Sequence, residues 1–275
     1  MNTEGADSRN SSASLRKALA LLAVVSEQPG SAEGLSLGEL TRVSGLNKST
    51  LLRLAAPLLE ESLLERDHET GRFRLGHGCL RLGQSYLDGL DVRTVANSEL
   101  RTLMRSTAST CHLVVLSGQD VVYLDKVEDE ATVRMASRVG ATMPAYCTAV
   151  GKAMLAYSNE EVVSSVLAGD LLPLTDRTIT DPDLLRAEFA AIRRRGYSID
   201  DRENEPEVRC VAAPIFGNDD HVVAAVSVSS LSSRMTAKRV REVGPMAAET
   251  SLRISSKLGS RRATARLAEL GLASA

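Results

Sequence analysis

Four side chains that donate hydrogen bonds lie close together in the segment LNKSTLLRL, residues 46–54. If this segment begins a helix, Leu51, Leu54 and Leu58 share its inner face, which leaves the donors able to point outward. Serine, threonine, lysine and arginine donate to phosphate oxygens, and lysine or arginine can also read the edge of guanine. The pattern is typical of a helix in the major groove of DNA. Its predicted DNA-contacting residues are Lys48, Ser49, Thr50 and Arg53.

The preceding residues supply the elements that would position this helix. Ser36 and Glu39 have the spacing of a capping box, which predicts the start of an earlier helix. A Ser44-Gly45 turn then separates the two helices, and Asn47 is expected to cap the second one. This order of parts indicates a helix-turn-helix.

A basic β-hairpin is predicted directly after the two helices. The runs Leu63–Glu65 and Arg72–Leu75 are typical of short strands, and the turn DHETG joins them. Such a hairpin would act as a wing that grips an adjacent groove or the DNA backbone. Any single charged residue here could equally be an ordinary solvated side chain, but the complete ordered set favours DNA recognition. The wing contacts are expected from Arg66, Arg72 and Arg74.

Two further features concern the helices of this region. The first helix is expected from about Ser14 to Glu27, after a polar and disordered tail at residues 1–13. Pro57 lies inside the DNA-contacting helix and has no amide donor. A kink or an early end near Ala56 is therefore expected.

The composition excludes several classes of protein. The 33 basic and 35 acidic residues give a net charge of −2, so attraction to DNA must come from local clusters. The four cysteines are far apart, without a CxxC pair or a histidine cluster, so neither a disulfide framework nor a metal site is expected. No apolar run approaches the roughly 18 residues of a membrane span. We expect a cytoplasmic protein without a cofactor.

The second part of the chain alternates helices with β-rich runs, which predicts an α+β fold with helices packed on an antiparallel sheet. A helix over 77–90 should lead into it, with the domain boundary near residue 88. CHLVVLSG and DVVYLDKV are expected to form one hairpin, TVRMASRV a third strand, and VRCVAAPIF and VVAAVSVSS a second hairpin. The tail could add one short helix. Other helices are expected over 91–110, 148–157, 160–167, 182–195 and 236–258.

Further specific segments follow LNKSTLLRL in a fixed order. They are LLERDHETGRFRLG, MPAYCTAVGKAMLA, RRRGYSIDDRENEPEVRCVAAPIF and VVAAVSVSS. With them, residues 14–258 resemble the IclR family of transcriptional regulators. The resemblance implies a winged helix-turn-helix joined by a linker helix to a GAF-like effector-binding domain. It also implies homodimers or homotetramers on a double-stranded DNA operator and a small-molecule effector, often an organic acid or an aromatic compound. Whether the chain is a repressor or an activator stays open.

The resemblance divides the chain into five parts. They are a disordered tail (1–13), the winged helix-turn-helix (14–76), the linker helix (77–90), the effector-binding domain (91–258) and a C-terminal tail (259–275). Ser62 and Glu207 stand where the family usually has glycine, and Phe73 where it usually has tyrosine. The family does not account for the basic tail, which is expected to be a frayed, solvated end, although it could touch DNA or another subunit.

A ligand site is expected in the second domain. Small residues after Thr148 would leave helix amides without partners, which favours docking of a carboxylate. Ser227 and Ser229 share one face of a strand, and their hydroxyls need partners that a ligand or water could supply. Alternatively, these serines bond to nearby backbone and Cys210 simply fills the core. The resemblance assigns the effector pocket to Met135, Ala149, Val150, Asp200, Val208, Cys210, Ser227 and Ser229.

Two other functions remain open at this level. Cys147 and His112, with Asp200 or Asp201, could be assembled into a thiol hydrolase, although no nucleophile elbow or phosphate loop accompanies them. A dimerising ligand-binding scaffold that no longer reads DNA would have the same fold. We expect a regulator and not an enzyme.

Overall fold

The computed structural model describes residues 4–27, 33–88, 91–128 and 136–272. The chain divides into two compact units, Met1–Gly89 and Leu90–Ala275. The N-terminal unit contains helices and a two-stranded hairpin, and the C-terminal unit contains a six-stranded sheet. The α+β class predicted from the sequence is confirmed.

The N-terminal unit holds its third helix against a small apolar core. Its elements are α1 (Glu4–Glu27), α2 (Leu37–Ser44), α3 (Lys48–Glu60), β1 (Leu64–Arg66), β2 (Phe73–Leu75) and α4 (His77–Asp88). Each of the first five contributes to the core, whose least exposed large side chains are Leu21, Leu40, Leu51, Leu64 and Phe73. Burial of these side chains fixes which face of α3 points outward.

The predicted helix caps are confirmed. The backbone amide of Ser36 donates to Glu39 Oε2 at 2.7 Å, and the Glu39 amide donates to Ser36 Oγ at 3.3 Å. Gly45 ends α2 with φ +68°, a conformation that glycine adopts without strain. Asn47 Oδ1 accepts from the Thr50 amide at 2.9 Å and so starts α3.

Two expectations about the helices are wrong. Helix α1 begins at Glu4 and not at Ser14, so the expected disordered tail does not hold from Glu4 onward. Residues 4–13 contain no proline, and each residue added to an existing helix gains a hydrogen bond at little further cost. Helix α3 continues to Glu60, so the early end near Ala56 is wrong, and the alternative of a kink at Pro57 stays a prediction. Pro57 has no amide hydrogen, so the backbone carbonyl four residues earlier loses its helical donor. Because Pro57 and Arg53 are both exposed, that carbonyl is on the solvent side of the helix.

The turn between α3 and β1 depends on a strained serine. Ser62 has φ +57°, in the left-handed region, which costs a non-glycine residue about 1–2 kcal/mol. Its carbonyl oxygen accepts from the Gly78 amide at 2.8 Å. A Cβ on Gly76 would lie 2.1 Å from the same oxygen, so only glycine fits there. The difference from the family at Ser62 therefore affects a position that favours glycine.

The C-terminal unit is organised around one antiparallel sheet with the strand order β5-β4-β3-β8-β7-β6. Ala136–Val139, the described end of the expected third strand TVRMASRV, is not a strand; residues 132–135 of that segment lie outside the described residues. The third strand of this unit is Thr142–Pro144, which pairs with the strand Asp120–Val127. Strand Ser198–Asp201 was not expected. The strands are β3 (Thr110–Ser117), β4 (Asp120–Val127), β5 (Thr142–Pro144), β6 (Ser198–Asp201), β7 (Val208–Phe216) and β8 (Val222–Leu231).

Helices cover the sheet of this unit. Helices α5 and α9 pack on β3, β7 and β8, and α6 also packs on β7 and β8. The apolar face of α10 packs on α9, so the expected frayed tail is wrong as far as Leu272. The helices are α5 (Asp91–Thr107), α6 (Ala149–Leu155), α7 (Glu160–Leu167), α8 (Pro182–Arg195), α9 (Ala237–Lys257) and α10 (Arg261–Glu269).

Candidate nucleic-acid interface and ligand pocket

The first two turns of α3 present the four predicted donors. Lys48, Ser49 and Arg53 are exposed and Thr50 is half-buried, whereas three leucines of the same helix are buried. Ser49 Oγ donates to the oxygen of the Asn47 cap at 3.0 Å. Within the described part of the chain, Lys48 and Arg53 form no ion pair, so both charges are available to an anionic partner.

Two of the predicted wing arginines lie on the hairpin surface with local partners. Arg66 is exposed, lies over the Phe73 ring at 5.3 Å from its centroid, and donates to the Gly71 carbonyl oxygen at 3.3 Å. Arg74 pairs with Glu65 at 3.2 Å and its side chain is 51% exposed. Exposed pairs of this kind are weak, so both guanidinium groups can exchange these partners for phosphate.

Arg72 differs from the other six predicted residues because it joins the hairpin to the start of α2. Its Nε donates to the Gly34 carbonyl oxygen at 2.9 Å, and its Nη2 lies 3.0 Å from Glu39 Oε2. The hydrogen bonds from Ser36, and then the charge of Arg72, hold the pKa of Glu39 below its usual value. Arg72 therefore stabilises the capping box and is less free to bind a phosphate.

The predicted effector residues converge in the C-terminal unit. One cavity of about 30 Å3 is lined by seven of the eight, and the eighth, Met135, lies outside the described residues. This volume is on the order of that of one water molecule. The seven residues are Ala149, Val150, Asp200, Val208, Cys210, Ser227 and Ser229.

A buried histidine that was not among the predicted pocket residues lies at the centre of this cavity. His112 Nδ1 is 3.2 Å from Ser227 Oγ, and its Nε2 is 2.8 Å from Ser137 Oγ. Burial, and then the charge of Lys126, lowers the pKa of His112 to about 3. The imidazole is therefore neutral at physiological pH and offers one donor and one acceptor. Ser227 bonds to this ring rather than to nearby backbone.

A buried charge cluster lies beside the cavity. Lys152 is fully buried, donates to the Ile199 carbonyl oxygen at 2.7 Å and forms an ion pair with Glu203. The second Glu203 oxygen, Oε2, is buried without a hydrogen-bond partner among the described residues. Burial raises the pKa of Asp200 to about 7, although Lys152 opposes this change. The single ammonium of Lys152 balances the charge of the Glu203 carboxylate. The carboxyl group of Asp200 has no such partner and is largely protonated below neutral pH.

The remaining lining residues were not predicted, and only some of them left a signal in the sequence. A histidine in the apolar strand segment CHLVVLS requires buried partners and could have indicated His112. Loop and turn residues such as Asn204 and Glu205 carry no such periodicity. The unpredicted lining residues are His112, Tyr123, Ala136, Ser137, Thr148, Asn204 and Glu205.

The thiol-hydrolase alternative lacks the necessary geometry. Cys147 Sγ lies 3.7 Å from Asn204 Oδ1 and 3.8 Å from the Pro144 carbonyl oxygen. Burial raises the pKa of Cys147 to about 12, so the thiol is not ionised near neutral pH. The two ring nitrogens of His112 are hydrogen-bonded to Ser227 and Ser137, and Cys147 takes part in neither bond.

The predicted amide site at the start of α6 is only partly available. Thr148 is the N-cap as expected, and its Oγ1 accepts from the Gly151 amide at 3.2 Å. A Cβ on Gly151 would lie 2.0 Å from the Ala145 carbonyl oxygen, so glycine is required at this position. Ala149 and Val150 reach the cavity.

No helix in the described residues combines the length and apolar character needed to cross a membrane.

Replacement of Arg72 tests its structural role. Arg72→Ala should lower the stability of the N-terminal unit by about 1 kcal/mol, because it removes bonds to Gly34 and Glu39. Arg74→Ala is the matched control and should change stability by less than about 0.5 kcal/mol, since its pair is exposed. Urea unfolding with amide exchange of α2 measures both. Equal effects of the two substitutions would show that Arg72 has no special structural role.

The buried acid predicts a pH dependence of stability. The pKa of Asp200 is raised in the folded protein, so its stabilising contribution is present at low pH and is lost as the pH rises through about 7. Between pH 5 and 7, roughly, the unfolding free energy of the wild type should fall relative to Asp200→Asn, by up to about 1.4 kcal/mol per pH unit.

Asp201→Asn is the neighbouring control for this measurement. The pKa of Asp201 is lowered, mainly by Arg209 acting against burial, so its contribution changes only at more acidic pH. Urea unfolding at several pH values compares the three proteins. Parallel curves for the wild type and Asp200→Asn would contradict the assignment.

Two family models together match most of the chain. The IclR helix-turn-helix domain matches residues 14–68, and the bacterial transcriptional regulator IclR C-terminal domain matches residues 84–256. Among curated proteins, the HTH-type transcriptional regulator XynR of Escherichia coli K12 is 32% identical over 247 residues, which cover 90% of this chain and 97% of that protein.

Solved structures agree with this match. The Thermotoga maritima IclR is similar with a TM-score of 0.74 and 33% identity, over 89% of this chain and 98% of that one. An IclR homologue from Microbacterium hydrocarbonoxydans, complexed with 4-hydroxybenzoate, has a TM-score of 0.74 and 26% identity, over 88% and 98%. The chain belongs to the IclR family of DNA-binding transcriptional regulators, with an effector-binding C-terminal domain.

Proposed function

We propose that this regulator binds its operator through α3 and the hairpin, and that a small organic acid or aromatic carboxylate bound in the 30 Å3 cavity changes operator affinity. It acts as a homodimer or homotetramer in the cytoplasm. The observation that carries the proposal is the convergence of seven predicted effector residues on one cavity, within the domain that the family uses for effectors. We propose repression as the sign of regulation, as the name of the similar Escherichia coli transcriptional repressor IclR suggests, and a promoter–reporter assay with and without the protein tests it.

The DNA-binding part of the proposal is supported by the division of α3 into two faces. Leu51, Leu54 and Leu58 are buried, while Lys48 and Arg53 are exposed without ion pairs among the described residues. Ser49 and Thr50 add donors in the same turn. On the hairpin, Arg66 and Arg74 are the proposed backbone contacts, and Arg72 acts through its bond to the capping box.

Self-association is supported by apolar side chains on the surface of the N-terminal unit. Leu15 and Leu19 of α1 are 61% and 55% exposed, and Leu80 and Leu82 of α4 are 73% and 60% exposed. Exposed leucines on helices favour contact with a second copy. Two N-terminal units on one operator would bind twice as many phosphates as one. This compensates for the low net positive charge of each unit.

The ligand part of the proposal follows from the polarity of the cavity. The neutral His112, the hydroxyls of Ser227 and Ser229, and a protonated Asp200 can all donate to a carboxylate. The related Microbacterium protein binds 4-hydroxybenzoate, an aromatic carboxylate of this type. A cavity of about 30 Å3 cannot hold such a molecule unless lining residues move. That movement gives the ligand different affinities for two states, which a switch requires.

Removal of the α3 charges tests DNA recognition. Lys48→Ala combined with Arg53→Ala should weaken binding to a genomic fragment selected by the wild type, by about 10- to 100-fold. The slope of log affinity against log salt should fall by about 0.9 for each phosphate that the variant no longer neutralises. Lys238→Ala removes an exposed charge on α9 and is the control. Unchanged affinity in the double variant would favour the scaffold alternative.

Effector coupling is tested with 4-hydroxybenzoate and a panel of small organic acids. One member should change operator affinity by about 5- to 150-fold, the usual range of allosteric coupling. Ser227→Ala with Ser229→Ala should reduce this response, whereas Ser164→Ala, at an exposed position of α7, should not. If no carboxylate at a saturating concentration changes operator affinity or thermal stability, the assignment of the ligand class is wrong.

A further inference from the structure

A helix outside the family-matched residues closes a second cavity in the C-terminal unit. The match ends at residue 256, and α10 follows it as Arg261–Glu269. Ala263 and Leu267 of this helix are 0% and 5% exposed, and Ser260 caps its first turn. The helix is therefore a packed wall of this unit.

The cavity lies between α10, α9, the C-terminal end of α8 and strand β7. It encloses about 680 Å3, which is within the range of about 300–1,000 Å3 that small-molecule sites occupy. It shares no lining residue with the effector pocket among the described residues. The two cavities are separate sites.

An aromatic pair and one arginine line part of this cavity. The rings of Tyr157 and Phe216 meet edge to face at 5.2 Å, and the Arg262 guanidinium lies 5.4 Å from each ring centroid. The Tyr157 hydroxyl makes no hydrogen bond to a described residue. Leu252 and Leu270 add apolar surface. Tyr157 is half-buried and offers aromatic contact and one phenolic donor to a flat apolar ligand, whereas Phe216, 7% exposed, supports the Tyr157 ring from within the core.

The charge of the lining is strongly positive. Both glutamates of the lining are already paired, Glu249 with Arg253 at 2.8 Å and Glu269 with Arg266 at 2.7 Å. Arg195 is paired with a glutamate outside the cavity at 3.0 Å. The charged lining residues are Arg193, Arg194, Arg195, Arg262, Arg266, Glu249 and Glu269.

Three arginines at the cavity form no ion pair among the described residues, and the carboxylate of Asp220 interacts electrostatically with Arg262. Arg193 donates to the Ala156 carbonyl oxygen at 2.6 Å, which leaves its charge unpaired. Arg194 and Arg262 form no ion pair within the described part of the chain. Guanidinium groups bind carboxylates and phosphates through paired, directed hydrogen bonds. Three such groups beside an aromatic side chain suit a ligand in which an oxyanion is attached to a flat apolar body.

We infer that this cavity is a second ligand site, separate from the effector pocket, for a small organic anion with an aromatic or similarly flat body. The anionic group binds Arg194 and Arg262, with Arg193 alongside. The body lies against Tyr157 and the apolar side chains of Leu252 and Leu270. Helix α10, which forms one wall of the site, lies outside the residues that the family models match.

Isothermal titration calorimetry of the full chain tests the site with 2-naphthoate, 2-naphthyl phosphate and the neutral 2-naphthamide. At least one anion should bind with a dissociation constant between about 1 μM and 1 mM. The tighter of the two anions identifies carboxylate or phosphate as the preferred group. The neutral amide should bind at least about tenfold more weakly, because it lacks the charge.

The double variant Arg194→Gln with Arg262→Gln should weaken anion binding at least about tenfold and leave the weak amide binding unchanged. Arg234→Gln with Arg261→Gln removes the same charge from exposed positions outside the cavity and should bind like the wild type. Ser227→Ala with Ser229→Ala alters only the effector pocket and should also leave this binding unchanged. The inference is overturned if neither anion binds, if the amide binds equally well, or if the two arginine double variants behave alike.

Discussion

The buried ammonium of Lys152 is the interaction on which the ligand-binding half of the molecule depends. It is fully buried, and its partners are the Ile199 carbonyl oxygen and the Glu203 carboxylate. A charge in this position is tolerated only if these partners stay in place. Helix α6 is thereby tied to strand β6 and to the loop after it. The requirement for glycine at residue 151 adds a steric limit to the same packing.

A comparable polar tie organises the N-terminal unit at its surface. Glu39 Oε2 accepts from the Ser36 amide and also meets the Arg72 guanidinium, so a helix cap and a strand share one carboxylate oxygen. The local bond defines where α2 begins. The long-range bond fixes the hairpin against it. Together with the apolar core, these bonds orient α3 without using any of its exposed donors.

Most helices and both caps of the helix-turn-helix could be predicted from the sequence, because their signals are local: a capping box, a left-handed glycine and leucines at helical spacing. The bounds of α7 and α8 were predicted residue for residue. The strand Thr142–Pro144 could not be found, since three residues carry no periodicity. The roles of Arg72 and His112 depend on partners 33 and 115 residues away in sequence, which no local pattern encodes.

The small size of the effector cavity has a kinetic consequence. In this conformation the cavity offers about 30 Å3, so the proposed carboxylate would need surrounding side chains or backbone to move before it binds. Ligand capture then proceeds at the frequency of those openings and not at the rate of diffusional encounter.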